Sequence, residues 1–240
     1  GGLVTLLREL KPLLHLDALP VTGRTIGEEL EHAAPAFAQT VVRPLAKPIY
    51  REGGLAVLWG NLAPGGAIIK QSAADAALME HEGRAVVFEN TADLAARVDG
   101  DDLDVHPGDV LVLKHIGPRG APGMPEAGAF QIPRKLLRQG AKDAVRISDG
   151  RMSGTAFGTV VLHVTPEAAV GGPLAYVKPG DRIRLSVQRR ELQLLVSDEE
   201  LARRAAAQPV RPPGAEGGYR KLWHDNVLQA DQGEDSDFLL

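Results

Sequence analysis

Asp149-Gly-Arg-Met-Ser-Gly-Thr-Ala-Phe-Gly-Thr159 sets one serine, Ser153, in a glycine-punctuated turn between two apolar runs, Ala144–Ile147 and Val160–Val164. Runs this short, bounded by turn residues and rich in branched side chains, read as buried strands rather than helices. The same grammar occurs upstream. Val110-Leu-Val-Leu-Lys114 reads as a strand, and Gly117-Pro-Arg-Gly-Ala-Pro-Gly-Met-Pro-Glu126 then presents a carboxylate at the end of a proline-stiffened loop. Two polar loops leaving the ends of neighbouring strands are a common way to build a site on a rigid scaffold.

Working outward, Leu55–Trp59, Ala67–Lys70 and Arg84–Phe88 read as strands between Gly/Pro turns, and Thr91 can cap a helix reaching about Val98. Ile132–Gln139 reads as a helix stopped by Gly140, and Thr165-Pro-Glu167 as a helix start. Leu174–Val177, Arg182–Val187 and Leu192–Val196 form a strand series, with a turn at Pro179-Gly-Asp181 and a hairpin at Arg189-Arg190. Ser197-x-x-Glu200 is a capping box opening a helix to about Ala207. Ahead of this body stand an apolar helix over residues 3–19, broken at Pro12, a second capping box at Thr25 and Glu28, and a proline-rich linker from Pro35 to Pro48. Behind it, residues 208–218 are Pro/Gly-rich and a helix is expected near 219–230. The expected division is therefore residues 1–50, 51–207 and 208–240, with a strand-rich α/β body in the middle.

The composition bounds the function. A net charge of -4 gives no electrostatic footprint for nucleic acid, and the basic residues Arg134, Lys135 and Arg138 read as a solvated helix face. There is no apolar run of about 18 residues, so no membrane span is expected. No secretory signal is seen either, because Arg8-Glu9 interrupts the first apolar run. With no cysteine among 240 residues, disulfides, thiolate zinc sites and cysteine-ligated clusters cannot form within the chain. A cytoplasmic location fits.

Several motifs in order carry a resemblance: Leu13-Leu-His-Leu-Asp-Ala-Leu-Pro-Val-Thr-Gly-Arg-Thr25, Gly117-Pro-x-Gly-x-Pro-Gly-Met-Pro-Glu126, Asp149-Gly-Arg-Met-Ser-Gly-Thr155, His163-Val-Thr-Pro-Glu-Ala-Ala169, Gly171-Gly-Pro-Leu-Ala175 and Leu195-Val-Ser-Asp-Glu-Glu-Leu201. The chain resembles the C-terminal part of the dihydroxyacid/6-phosphogluconate dehydratase superfamily. Met152–Thr159, Val161-Leu-His163 and the tail from Gly218 are most similar to the sugar-acid (arabinonate or xylonate) dehydratases. The resemblance implies a swivelling, barrel-like β/β/α domain preceded by a remnant of an N-terminal α/β domain. It also implies a hydro-lyase that converts a 2,3-dihydroxy sugar acid to the 2-keto-3-deoxy acid, using Mg2+ and an iron–sulfur cluster whose cysteines lie outside this chain. Expected partners are the sugar acid, the protein's own N-terminal domain and further copies, as a dimer or tetramer. The chain alone is expected to be inactive.

By the same resemblance Ser153 is the base that takes the C2 proton, Thr155 orients substrate or Ser153, Glu126 is a magnesium ligand, and Arg151 and Gly154 contact substrate. Taken alone, these residues have blander readings: a turn serine, a helix N-terminal carboxylate, and an Asp149–Arg151 ion pair holding the loop. Ser153 does not stand in a Gly-x-Ser-x-Gly elbow, since Gly150 lies three positions before it. The Gly117, Gly120 and Gly123 triplets are too short for a collagen helix, and their prolines spoil a dinucleotide loop. His163 reads as packing within an apolar strand rather than as a catalytic group. Two alternatives stay open: a dihydroxy-acid dehydratase of branched-chain amino-acid synthesis, and a non-catalytic module that binds a small acid.

Overall fold

Short branched runs separated by Gly and Pro turns cannot each bury both faces alone, and in the computed structural model they solve this by closing on one another. The structure describes residues 2–34, 37–123, 130–152, 157–207 and 217–239. Among these, the strands are β1 (Ala56–Gly60), β2 (Ala63–Ile69), β3 (Glu80–Phe88), β4 (Val110–Leu113), β5 (Arg146–Ser148), β6 (Val160–Thr165), β7 (Arg182–Ser186) and β8 (Glu191–Leu194). They form a closed barrel in the order β1-β2-β6-β5-β4-β3-β7-β8. Within it β3, β4, β5 and β6 run parallel as adjacent strands, with Leu113 beside Ser148 and Ile147 beside Val161. The remaining pairings are antiparallel apart from the closing contact, where Trp59 stands beside Glu191. Asn61 helps seal that seam: its side chain accepts from the Leu194 N–H at 2.7 Å and donates to the Leu194 carbonyl at 2.8 Å.

Strand alternation explains why the central runs are apolar at every position. Val87, Val112, Ile147 and Val161 point into the barrel with Leu58, Ile183 and Leu192. Their neighbours Val86, Phe88, Leu111 and Leu113 point outward into a second core with Leu94 and Leu136. Leu94 lies on α3 (Thr91–Arg97) and Leu136 on α4 (Arg134–Arg138). A further helix, α5 (Asp198–Ala207), starts where Ser197 Oγ accepts the Glu200 N–H at 3.2 Å. It docks through buried Arg204, which donates to the Tyr176 carbonyl and to Asp181, both at 3.0 Å.

The chain divides into two compact units, Gly1–Gly53 and Gly54–Leu240. In the first, α1 (Gly2–Glu9) is followed by a 3-10 turn at Lys11–Leu13, where Pro12 ends the α-helical pattern, and then by α2 (Ile26–His32). Thr25 and Glu28 form the expected capping box. Arg8 closes the other end of α2 by donating to the carbonyls of Leu30, Ala33 and Ala34.

Two local expectations are corrected. Leu174–Val177 is not a strand, because Pro173–Tyr176 forms a 3-10 helix with proline in its first turn. A four-residue apolar run is too short to tell a strand from a buried helical turn. The helix start at Thr165-Pro-Glu167 yields only a 3-10 turn, Ala168–Val170, ended by left-handed Gly171. The tail helix, α6 (Gly218–Asn226), packs with the rest of the second unit: Val227 is buried, and the Trp223 indole donates to the Pro118 carbonyl at 2.7 Å.

Candidate active site

The C-terminal ends of β3 to β6 lie together at one end of the barrel, the place where parallel sheets most often present their ligand-binding loops. The chain leaves β4 into the Gly117 loop and leaves β5 into the serine loop. Asp149, fully buried at the end of β5, ties both to the start of the next turn. Its carboxylate accepts backbone N–H groups from His115 at 3.2 Å, Ile116 at 3.0 Å and Ala168 at 2.9 Å. A second buried carboxylate, Glu167, accepts the N–H groups of Arg119 at 2.8 Å and Gly120 at 2.9 Å. Gln229 of the tail completes that cluster, donating to Glu167 Oε1 and accepting the Glu167 N–H.

These contacts explain two of the glycines. A Cβ on Gly117 would stand 2.6 Å from Glu167 Oε2, and one on Gly150 would stand 2.4 Å from Ile116 Cδ1. The loops approach their anchors too closely for any side chain. Burial raises the Asp149 pKa to about 6; the Ile116 and Ala168 N–H bonds oppose that rise, and the neighbouring Glu167 charge adds to it. The group is thus mostly an anion at neutral pH, favoured by backbone N–H groups and by the neighbouring His115.

A second clamp lies at the opposite end of β5 and takes the segments where they return. Arg146 donates to the Phe130 carbonyl at 2.9 Å and to Asp143 at 3.2 Å. Asp143 in turn accepts both the N–H and the hydroxyl of Thr159 at 2.7 Å. Burial lowers the Arg146 pKa, and Asp143 works against that fall. Beside the serine loop, a cleft of about 290 Å³ is lined by Met152, Gly158, Ile68, Lys70, Leu162 and His163.

Comparison with known proteins bears on this arrangement. Residues 40–234 match the model of the dihydroxy-acid/6-phosphogluconate dehydratase C-terminal domain. The chain belongs to this dehydratase family. Its relatives include the L-arabonate dehydratase of Azospirillum brasilense, 50% identical, and the L-arabinonate dehydratase of Rhizobium leguminosarum bv. trifolii, 49% identical. The 6-deoxy-6-sulfo-D-gluconate dehydratase of Pseudomonas putida is 45% identical. Each match covers 100% of this chain but only 42% of the relative, so the chain spans less than half the length of these dehydratases.

Within this dehydratase domain, Glu126, Ser153, Gly154 and Thr155 lie outside the described residues. Arg151 is described, and it is exposed at the start of the serine loop. The Asp149 carboxylate accepts three backbone N–H groups and so anchors the loops around it. Sequence reasoning missed the Asp143–Arg146 clamp, the role of Glu167, and the pairing of His163 Nδ1 with Glu234 at 2.8 Å. The tail residues Gln229 and Glu234 gave no local signal, since their partners are distant in sequence.

The donor set limits what this domain can hold. Among the described residues no three His, Asp or Glu side chains converge as a metal site. The sequence has no cysteine, so its residues do not fit an iron–sulfur cluster, which needs thiolates. A magnesium ion takes one or two protein carboxylates, and Glu126 is a donor of that kind.

Proposed function

We propose that this chain is the C-terminal portion of a cytoplasmic hydro-lyase that dehydrates a 2,3-dihydroxy sugar acid to the 2-keto-3-deoxy acid. The observation that carries the reading is the double anchoring of the two motif-bearing segments at adjacent parallel strands, in a chain about half identical to arabinonate-type dehydratases. The similarity to sugar-acid enzymes favours such a substrate over the branched dihydroxy acid.

In this mechanism Ser153, ionised in its loop, takes the proton from C2, and hydroxide leaves C3. The proton and the hydroxide together make the water that is lost, leaving an enol. Thr155 and the Gly154 backbone hold Ser153 and the substrate in register, and Arg151 meets the substrate carboxylate. Glu126 would be a carboxylate ligand of Mg2+, which when bound would offset negative charge on the departing oxygen. The thiolates of a cluster would come from the part of the full-length protein beyond this chain, whose N-terminal domain and further copies are the proposed partners.

The test is turnover by the full-length protein. It is expected to dehydrate a pentonate such as L-arabinonate, and S153A is expected to lose about 10²- to 10⁴-fold in kcat, the range for removing a positioned base. The purified 240-residue chain is expected to be inert. Sugar-acid turnover by that chain without added protein overturns the divided-site reading, and full activity of S153A overturns the role of the serine.

A further inference from the structure

The outward face of the barrel has three sectors, each with its own chemistry. Over the parallel run β3 to β6, the outward side chains Val86, Phe88, Leu111 and Leu113 pack with α3 and α4. Around β7, β8 and the start of β3, the outward positions carry Arg182, Arg184, Glu191 and Glu82. There Glu82 pairs with Arg182 at 3.1 Å and with Arg184 at 3.3 Å. The first sector is covered by helices and the second is suited to water. The third is neither.

In that third sector β2 lies antiparallel between β1 and β6, an arrangement that commonly turns polar residues to solvent on its outer face. Here Val57 stands opposite Ile68, and Ile68 opposite Leu162, so a row of branched apolar side chains crosses all three strands. Trp59 is the next outward residue of β1. Val57 is 36% exposed, Ile68 38% and Trp59 50%. Their inward neighbours Ala56, Leu58 and Ile69 belong to the barrel core, so β1 and β2 are apolar on both faces, the pattern of strands that are covered on both. An apolar row left open in this way marks a surface that another part of an assembly covers.

The row borders a cleft of about 390 Å³ between the sheet and the turn at residues 230–234. Trp59 and Ile68 line it, and Gly66 keeps it open: a Cβ there would stand 3.5 Å from Trp59 Nε1, so a side chain at 66 would occupy the space beside the indole. Asp231 lines the cleft from the turn. Among the described residues, neither its carboxylate nor the Trp59 indole N–H has a hydrogen-bond or ion-pair partner.

The chain makes up only 42% of its arabinonate-type relatives and matches a C-terminal domain, so the dehydratase reading places more than half of the full-length protein before it. A second copy is a poorer fit, because a two-fold contact is self-complementary and would turn the Asp231 rim toward another acidic rim. We propose that the outward face of β1, β2 and β6 is where the N-terminal portion of the full-length protein docks, with apolar side chains against Trp59 and Ile68 and a lysine or arginine at Asp231; this rests on the dehydratase reading above. The indole offers such a cation a ring face beside the carboxylate.

The experiment is hydroxyl-radical footprinting of the full-length protein, read residue by residue by mass spectrometry against the same protein unfolded in urea. Docking is expected to slow oxidation of Trp59 by about tenfold or more, as at the water-free centre of an interface. A slowing of only about twofold, which half exposure of the side chain accounts for by itself, overturns the inference. D231R then separates the occupants, since an exposed side chain without a partner can be reversed in charge while the domain stays folded. The variant is expected to oxidise severalfold faster at Trp59 while the sedimentation coefficient of the full-length protein is unchanged. Dissociation into smaller species assigns the face to a second copy, and an unchanged oxidation rate denies the cationic contact; either result overturns the inference. Sugar-acid turnover is measured on the same wild-type sample. A Trp59 open to oxidation in an active enzyme sinks the docking face alone, whereas a protein that dehydrates no sugar acid sinks the dehydratase reading on which it rests.

Discussion

Asp149 is mostly ionised at neutral pH against the desolvation of a fully buried carboxylate, favoured by three backbone N–H groups and by the neighbouring His115. Its folded pKa of about 6 lies above the ordinary 3.8, so between those values the native state binds more protons than the unfolded chain. Its contribution to stability is therefore fully present below about pH 4 and is lost as pH rises through about 6, the opposite of a salt-bridged aspartate. D149N removes this dependence: a plot of unfolding free energy against pH is expected to lose its falling component across that window. The variant should also be less stable by about 1–3 kcal/mol at pH 7, because an amide offers one acceptor oxygen and sets N–H against N–H. An unchanged slope in chemical denaturation would show that Asp149 does not titrate there. The sequence placed this aspartate four residues before Ser153 but could not rank its roles. An acid beside an arginine reads equally as an ion pair or a ligand contact, and only burial and three backbone donors decide for an anchor.

At the scale of elements, β3 to β6 were legible as buried strands from short apolar stretches, since strands covered on both faces alternate between two cores and so show no polar side, whereas their parallel direction comes from the structure. The loops after β4 and β5 were legible for the same reason, because turn residues follow abruptly on buried ones. What was not legible is how the returning ends are held. Asp143 and Arg146 are three residues apart near a strand start, a spacing seen on many surfaces, yet Asp143 is fully buried and Arg146 nearly so. Removing one member of a buried pair leaves the other charge stranded, which typically costs about 3–5 kcal/mol. R146M is therefore expected to lower the unfolding midpoint sharply and to loosen Phe130 and Thr159 together. Hydrogen exchange should report this as loss of protection at the Thr159 amide, despite its separation from the mutated guanidinium. Loss confined to residues adjacent to 146 would show that the clamp does not couple the two segments.

Over the whole second unit, the tail laces together what the barrel leaves open, and this is where sequence reasoning had least purchase. A Pro/Gly-rich stretch followed by a short helix looks like an appendage, because nothing local records that Gln229, Trp223 and Glu234 meet Glu167, Pro118 and His163. Two of these partners, Glu167 and Pro118, lie on loops that follow strands, and His163 lies within β6, so the tail supports the barrel from outside. Ending the chain at Ala207 would strip Glu167 of its side-chain donor, leave the Pro118 carbonyl unpaired and expose the surface that Val227 covers. Four lost hydrogen bonds, two through Gln229 and one each through Trp223 and Glu234, at about 1 kcal/mol each, and one valine burial of about 1.5–3 kcal/mol sum to about 5–7 kcal/mol. Truncation is therefore expected to leave the barrel folded but less stable by about that amount in urea, since the strands and both cores lie outside the tail. The Gly117 loop should lose hydrogen-exchange protection first, at the Arg119 and Gly120 amides that Glu167 now holds. Unchanged protection at those amides, with the urea midpoint preserved, would mean that Glu167 keeps its geometry without Gln229 and that the tail is dispensable to the site.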